Sequence, residues 1–209
     1  MKFVSLVSSG IDSPVATYLL SEQAEEIILL HADNRPFTDD REVKNFTALA
    51  KHLKEKMQCS VKAYNVSHGD ALSSYKHSCN NKFTCVFCKR IMVRYAEKIA
   101  EKEHADAIIM GDSLGQVASQ TLQNIGVIDQ AVKIPILRPL IGFDKEDVIK
   151  IAKDIGTYDL SIAPSDGCSA VPEKPSTSAK LEQILAEEQK INVDELIKNA
   201  VDNVELLST

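Results

Sequence analysis

The 209-residue chain is predicted to fold as an α/β domain: a doubly wound, mostly parallel sheet with helices on both faces. Two observations predict this class. Short apolar runs alternate along the chain with stretches whose apolar residues recur at helical spacing, which is typical of a parallel sheet wrapped by helices. The length and the 44% share of hydrophobic residues suffice for one compact core. Residues 1–177 are predicted to form the domain, and residues 178–209 a helical extension of it.

The first half of the chain supplies most of the sheet. Its short apolar runs predict strands at residues 4–7, 27–30, 61–66 and 107–110, with a fifth strand at residues 134–136. The stretches between them predict helices at residues 14–20, 38–57 and 91–100. Strand and helix alternate, as a parallel sheet requires.

The second half is more helical. Asp144 is predicted to cap a helix over residues 145–155, with Gly156 at the position after its end. Residues 158–177 carry three prolines and no periodicity, and an irregular loop of this length is usually functional. Two polar helices are predicted at residues 178–189 and 193–203.

The charge and the first residues restrict the class of function. A net charge of −6 and a pI near 5.4 give no overall basic surface for nucleic acid, so an RNA would need a local patch or a partner protein. The opening apolar run is too short for a membrane span and lacks the features of a secretory signal. The protein is expected to be cytoplasmic, without membrane association.

A candidate phosphate-binding loop follows the first strand. Residues 8–13 read Ser-Ser-Gly-Ile-Asp-Ser and open the first helix, where backbone N–H groups and the helix dipole favour an anion. Hydroxyls of Ser8, Ser9 and Ser13 can donate to phosphate, and Asp12 can hold Mg²⁺. The loop is neither a Walker loop nor a dinucleotide fingerprint. The same residue types also serve as ordinary turn and cap residues.

Several segments together resemble one family. Residues 8–13 resemble the PP-loop of ATP pyrophosphatases, and residues 111–122, Gly-Asp-Ser-Leu-Gly-Gln-Val-Ala-Ser-Gln-Thr-Leu, resemble a signature of tRNA 4-thiouridine synthetases. Similar stretches occur at residues 89–92, 137–146 and 172–177. The resemblance covers residues 1 to about 180. It departs at Ser9, where the family pattern has glycine, a residue that takes positive φ at little cost.

The resemblance implies an enzyme that uses ATP to adenylate O4 of uridine 8 in tRNA and then delivers sulfur to that carbon. It implies catalytic roles for Asp12, through Mg²⁺, and for Lys145, through phosphate charge. It also implies a set of nucleotide contacts: Leu6, Val7, Ser8, Gly10, Ser13, His31, Ala32, Lys89, Gly111 and Gln120. For His31, a structural histidine at a strand end is an equally ordinary interpretation.

The family's N-terminal ferredoxin-like and THUMP regions are not expected in this chain, because the phosphate loop begins at residue 8, and its C-terminal rhodanese is not expected either. The tRNA is therefore expected to be bound with the help of a separate RNA-binding protein. The sulfur donor is expected to be sulfide or a persulfide. Family members commonly pair, so a homodimer is a further expectation.

Three cysteines are the candidate sulfur-handling residues. Cys85 and Cys88 are predicted at the start of a helix from about residue 87, where the dipole, Lys89 and Arg90 would favour thiolate. By the resemblance Cys168 faces the same site. Three thiolates could hold a 4Fe-4S cluster with one iron open to sulfide, a pattern resembling archaeal members.

Two alternatives for these cysteines remain open. One is a Cys85–Cys88 redox disulfide with Cys168 as a catalytic persulfide nucleophile. The other is zinc held by the three cysteines with His77 or Cys79. For the whole chain, the alternative functions are a PP-loop ligase or thiolase acting on a small molecule and a nucleotide- or cluster-binding module without turnover.

Overall fold

The computed structural model describes residues 1–208, which form one six-stranded sheet in the order β5-β4-β1-β2-β3-β6. Five strands are parallel, and β6 pairs antiparallel with β3. The strands are β1 Lys2–Leu6, β2 Glu26–Asp33, β3 Ser60–Ser67, β4 Ala107–Ile109, β5 Ile136–Leu137 and β6 Glu205–Leu206. The prediction of a doubly wound, mostly parallel α/β sheet is confirmed.

Helices cover both faces of this sheet. They are α1 Asp12–Leu19, α2 Asp40–Lys56, α3 Gly69–Ser78, α4 Thr84–Glu103, α5 Leu122–Asp129, α6 Lys145–Asp154, α7 Tyr158–Ser161, α8 Leu181–Glu188 and α9 Val193–Asp202. Apolar residues of α1, α2 and α6 form one core layer with alternate residues of the strands. Those of α3, α4, α5, α8 and α9 form the other layer.

The strand order places a switch point beside β1. The chain runs from β1 to β2 and β3 on one side, and α4 then returns it to β4 on the other side of β1. The carboxyl ends of β1 and β4 are therefore neighbours, and the chain continues from them toward opposite faces of the sheet. In open α/β sheets ligands bind at such a point.

Several elements differ from the expectations. The helix that was predicted to begin near residue 87 begins at Thr84, and α7 interrupts the segment predicted to be irregular. The sequence did not indicate α3, α5 or β6. Helix α3 opens on a glycine and is largely polar, and both residues of β6 are exposed, so neither element carries a clear apolar period.

The predicted end of α6 is confirmed. Gly156 follows the helix with a φ of 80°, a conformation that glycine adopts without steric cost. Asp144 occupies the predicted N-cap position in an extended conformation, although its side chain makes no capping hydrogen bond.

The C-terminal helices are attached to α4 through a buried ion pair. Arg90 is 1% exposed, and its Nε donates to Glu188 Oε1 of α8 at 2.8 Å. Arg94 donates to the other carboxylate oxygen at 2.9 Å. Although burial opposes ionisation, Arg90 and Arg94 hold the pKa of Glu188 below its usual range. Because an uncompensated buried charge is costly, this pairing fixes α8 against α4.

At the other end of α4, Glu103 joins this helix to β1 and β3. Its carboxylate accepts hydrogen bonds from Lys62 at 2.9 Å, Tyr64 at 2.7 Å and Lys2 at 3.1 Å. The Lys62 hydrogen bond, with those of Tyr64 and Lys2, lowers the pKa of Glu103 to about 2. The carboxylate is therefore stabilised in the folded protein.

The substitution Glu103→Gln is expected to destabilise the fold by on the order of 2 kcal/mol at neutral pH. Because the folded-state pKa is depressed, the stabilisation is present above the ordinary carboxyl pKa and is lost as the pH falls toward about 2. Urea unfolding of both proteins at neutral and acidic pH measures this. The exposed Glu101→Gln is the control, and an equal loss at both pH values would contradict the expectation.

Among the described residues, no helix is long and apolar enough to cross a membrane.

Candidate active site

A cleft of about 290 Å³ opens at the switch point, at the carboxyl ends of β1, β2 and β4. Its walls come from the β1–α1 loop, the end of β2, the second turn of α4 and the segment after β4. The lining residues that the sequence had singled out are Leu6, Val7, Ser8, Asp12, Ser13, His31, Ala32, Cys88, Lys89, Gly111 and Gln120. Gly10 belongs to the same loop but does not line the cleft.

The phosphate loop is closed on itself by hydrogen bonds. Ser8 N–H donates to Ser13 Oγ at 2.9 Å, and Gly10 N–H donates to Ser8 Oγ at 3.3 Å. Ser9 donates through its hydroxyl to Glu42 Oε2 at 2.8 Å. Among the described residues that are not glycine, positive φ occurs at His104 alone, so serine fits the position of the family's glycine without backbone strain.

Gly111 permits a close approach of two backbones. A Cβ at this position would lie 2.7 Å from both N and Cα of Ser13 and 2.9 Å from the carbonyl carbon of Asp12. Only a residue without a side chain fits there. The segment after β4 therefore packs directly on the first turn of α1, which brings the two motif segments together.

Asp112 anchors the polar wall of the cleft. Its Oδ1 accepts from Lys89 Nζ at 2.5 Å and from Gln120 Nε2 at 3.4 Å, and its Oδ2 accepts from Arg138 Nε at 3.0 Å. Burial favours the neutral acid, but the charges of Lys89 and Arg138 hold the pKa of Asp112 below its usual range. The carboxylate thus orients both Lys89 and Gln120.

Asp112 and Arg138 lie within the motif segments, but no role was predicted for either residue. The one feature of the sequence that could have indicated a role in the site is that each is a charged residue inside a matching segment. Glu42, Asn34, Met92 and Met110 also line the cleft and were missed, because they lie outside the matching motifs or look like ordinary helix and strand residues.

The two candidate activating residues contact each other. Lys145 Nζ lies 2.5 Å from Asp12 Oδ1, so the first turns of α6 and α1 are joined by an ion pair at the edge of the cleft. Asp12 lines the cleft, whereas Lys145 reaches it only through this contact. Both side chains remain partly exposed, at 24% and 44%.

His31 is held as a structural histidine at the base of the cleft. Its Nδ1 lies 3.0 Å from Val7 O, and its ring stacks on Phe46 with 4.5 Å between centroids. Burial lowers the pKa of His31, which keeps the ring neutral. Nδ1 therefore carries the proton that Val7 O accepts, and Nε2 has no partner among the described residues.

An apolar slot continues the cleft on the α4 face of the sheet. Leu6, Leu30, Ala32 and Met110 form its sheet side, while Met92 of α4 forms the opposite side. A flat apolar ring system suits such a slot, since thioether side chains adapt to the surfaces they contact.

Cys88 lies on the wall of the cleft and contacts a buried histidine. Its Sγ is 3.3 Å from His68 Nε2, and His68 Nδ1 is 3.2 Å from Tyr95 Oη. His68 is completely buried, which lowers its pKa to about 4. The imidazole is therefore neutral and can accept from a thiol or donate to a thiolate.

The expectation of low thiol pKa values is wrong. Burial, with a smaller contribution from the charge of Cys168, raises the pKa of Cys85, and the same causes raise the pKa of Cys88 to about 12. Lys89 opposes the shift, but its amine is directed to Asp112. Arg90 points away into the pair with Glu188. Desolvation is therefore the dominant influence on the pKa of both thiols.

Cys168 nevertheless lies near enough to the other two candidate cysteines to interact with them electrostatically. The charge of Cys168 acts on both Cys85 and Cys88, which places its loop beside the start of α4. Ser169 N–H donates to Phe37 O at 2.8 Å, and Asp166 N–H donates to Asp39 Oδ2 at 3.1 Å. The Cys168 loop is thus fixed to the segment between β2 and α2.

The side chains offered as a fourth zinc ligand have other partners. All five cysteines are free. His77 Nδ1 is bonded to Ser73 O and Cys79 Sγ to Glu187 O, so the proposed fourth zinc ligands face other partners. Within residues 1–208, no three His, Cys, Asp or Glu side chains are arranged to hold a metal ion, and this includes Cys85, Cys88 and Cys168.

The raised pKa of Cys88 predicts slow alkylation in the metal-free protein. Its rate constant is expected to rise about tenfold per pH unit between about pH 7 and pH 10, without a plateau, because thiolate is the reactive form. Peptide mass spectrometry after timed iodoacetamide treatment measures the rate at each cysteine, with Cys88→Ser confirming the assignment. A plateau below about pH 9 would contradict the burial of this thiol.

A doubly wound parallel sheet, with a serine-rich loop between β1 and α1 and a polar cleft at the switch point, defines a nucleotide-binding domain of the PP-loop ATP pyrophosphatase type. Within this class the chain belongs to the ThiI family, since the family model described as thiamine biosynthesis protein (ThiI) matches residues 1–193.

Relatives support the assignment. The chain is 47% identical over 195 residues to a probable tRNA sulfurtransferase of Methanothermobacter thermautotrophicus, covering 93% of this chain and 50% of that protein. It is 37% identical over 204 residues to a probable tRNA sulfurtransferase of Finegoldia magna, covering 97% and 52%. The chain thus spans about half the length of the curated relatives it matches.

Solved structures agree with the fold. A 4-thiouridine synthetase in complex with RNA and bound ATP superposes with a TM-score of 0.93 at 33% identity, covering 99% of this chain and 55% of that one. An NMN synthetase from Francisella tularensis matches at a TM-score of 0.57 and 16% identity, which shows a shared fold alone.

Proposed function

We propose that this chain is the catalytic part of an ATP-dependent sulfurtransferase that converts uridine 8 of tRNA to 4-thiouridine. The observation that carries the proposal is the convergence on one cleft of a phosphate loop, an ion pair of Asp12 with Lys145, and the thiol of Cys88. The names of the relatives and the ATP and RNA bound in the related 4-thiouridine synthetase support it.

ATP is proposed to bind in one orientation. The apolar slot between Met92 and Met110 suits adenine. The loop at residues 8–13 suits the terminal phosphates, because Ser8, Asp12 and Ser13 line the cleft at the start of α1. Lys89, held by Asp112, and Gly111 then lie between base and phosphates. Asp12 would hold Mg²⁺ on the phosphates, with Lys145 beside it.

The reaction has two displacements. The uracil O4 attacks the α-phosphorus of ATP, the Pα–O bond to the β-phosphate breaks, and pyrophosphate leaves. Sulfide then forms a bond to C4, the C4–O4 bond breaks, and AMP leaves with that oxygen. Lys145 neutralises charge that develops on the phosphates, and the N–H groups of the loop receive the leaving pyrophosphate.

A 4Fe-4S cluster is part of the proposal. The donor types suit it, since thiolate is the preferred ligand of such clusters, and Cys168 lies within electrostatic range of Cys85 and of Cys88, which lines the cleft. Cys85, Cys88 and Cys168 would hold the cluster, and an open iron would carry sulfide. His68 would then donate from Nε2 to the sulfur of Cys88. Iron and sulfide quantitation after anaerobic purification tests this point.

The binding of tRNA is proposed to need more surface than this cleft. The net charge of −6 provides no general attraction for phosphate. A separate RNA-binding protein or a second copy of the chain would supply the cations.

The test is a reaction with tRNA, ATP, Mg²⁺ and sulfide under anaerobic conditions, with nucleosides analysed by mass spectrometry. We expect AMP, pyrophosphate and 4-thiouridine in equal amounts, and none of them from a transcript with cytidine at position 8. Intact ATP in the complete mixture, also with a candidate RNA-binding protein added, would reject the function. Formation of ADP would assign the cleft to another reaction class.

A further inference from the structure

The phosphate loop binds a carboxylate of the protein itself, that of Glu42 on α2. Three carboxylates line the cleft, and two of them are neutralised: Asp12 by Lys145 at 2.5 Å, and Asp112 by Lys89 at 2.5 Å with Arg138 at 3.0 Å. The third, Glu42, forms no ion pair within the described part of the chain. His31, which lies near it, is a neutral ring and supplies no counter-charge.

Glu42 uses its carboxylate to occupy donors of the loop. Ser9 Oγ donates to Oε2 at 2.8 Å, and Ser9 N–H approaches Oε1 at 3.4 Å. Ser9 is 8% exposed, so this contact is largely shielded from water. The carboxylate therefore takes the kind of hydrogen bonds that a phosphate oxygen would receive at this loop.

The other internal bonds of the loop differ in kind. Ser8 and Gly10 N–H groups donate to hydroxyls, and a hydroxyl can rotate to donate to an incoming phosphate. A carboxylate has no proton to offer. When a triphosphate arrives, Glu42 must withdraw from Ser9 or share a cation with the phosphates, because two anions cannot use the same donors.

Ser9 is the residue that makes this contact possible. It stands where the family pattern has glycine, which offers no hydroxyl, and the hydroxyl forms the shorter of the two bonds to Glu42. The serine at position 9 thus provides the hydrogen bonds that hold Glu42, which forms no ion pair within residues 1–208.

We propose that Glu42, anchored by Ser9, acts as a stand-in for phosphate that makes nucleotide binding in this cleft depend on a divalent cation. The inference rests on the proposed function, because it requires that the cleft bind ATP. In the free protein Glu42 satisfies the loop. Metal-free ATP must displace it against charge repulsion, whereas a cation carried by ATP removes most of that repulsion.

The test is isothermal titration of the protein with ATP, in Mg²⁺ and in EDTA, for wild type, Glu42→Gln, Ser9→Gly and the double variant. Glu42→Gln is expected to tighten metal-free binding at least about tenfold, with a change below about threefold in Mg²⁺. Ser9→Gly should tighten it less. Because each substitution removes the same contact between Ser9 and Glu42, the double variant should match Glu42→Gln.

Glu55→Gln, an exposed position on the same helix, controls for net charge and should leave both affinities unchanged. Equal changes in Mg²⁺ and EDTA, or additive effects of the two substitutions, would overturn the inference while leaving ATP binding established. A folded wild-type protein that binds no ATP under either condition would overturn the proposed function together with the inference.

Discussion

Alanine at position 111 is expected to weaken ATP binding about 100-fold, which corresponds to about 2.7 kcal/mol and lies within the usual cost of overpacking. The added Cβ would lie 2.7 Å from Ser13 N and Cα, atoms of a helix backbone that cannot rotate away. The loop at residues 8–13 must then separate from the segment that carries Asp112. The cleft would widen where phosphates and base are to be held together.

A matched control is available in the same half of the chain. Gly126 lies inside α5, and a Cβ there meets nothing within 4 Å. Gly126→Ala should leave ATP affinity unchanged and stabilise the fold by about 0.5–1 kcal/mol, because alanine is the better helix residue. ATP affinity is measured by titration and stability by thermal unfolding. A Gly111→Ala protein that binds ATP like the wild type would show that the close approach is not needed.

Lys145→Met is expected to lower the rate of AMP release about 100-fold or more, because it removes a positioned charge from the phosphate site. Its side chain is 44% exposed and, within residues 1–208, pairs with Asp12 alone, so the free energy of unfolding should change by less than about 0.5 kcal/mol. The rate loss would then come from the reaction and not from misfolding.

Lys150→Met is the corresponding control on α6, since Lys150 is exposed and lies outside the cleft. Single-turnover measurement of labelled AMP, with tRNA and sulfide present, separates the chemical step from product release. If Lys145→Met and Lys150→Met gave equal rates, Lys145 would have no catalytic role. That result would favour the alternative that the chain is a binding module without turnover.

The sequence predicted the fold well because the strands that form the centre of the sheet are continuous apolar runs. Residues 27–30 and 107–110 are buried on both faces, so no other element type fits them easily. Likewise, the phosphate loop and the glycine at position 111 are local in sequence. Their meeting in space follows from the strand order, which the alternation of strands and helices favours without determining.

The electrostatics of the site could not be predicted in the same way. A helix start with Lys89 and Arg90 nearby indicates reactive thiols, but Arg90 is committed to Glu188, which is 98 residues away along the chain. Helix α3, absent from the prediction, is preceded by His68, which helps to bury Cys88. Likewise, the contact of Ser9 with Glu42 joins residues 33 positions apart. Such pairings depend on tertiary packing.

Sulfur transfer in this cleft requires the triphosphate and the thiols to lie close together, and a crystal structure with a non-hydrolysable ATP analogue and Mg²⁺ measures their separation most directly. We expect the terminal phosphates at residues 8–13, adenine between Met92 and Met110, and the α-phosphate on the side of the cleft that Cys88 lines. An analogue bound elsewhere, or one whose α-phosphate is walled off from Cys88 and the Cys168 loop, would contradict a sulfur-transfer site in this cleft.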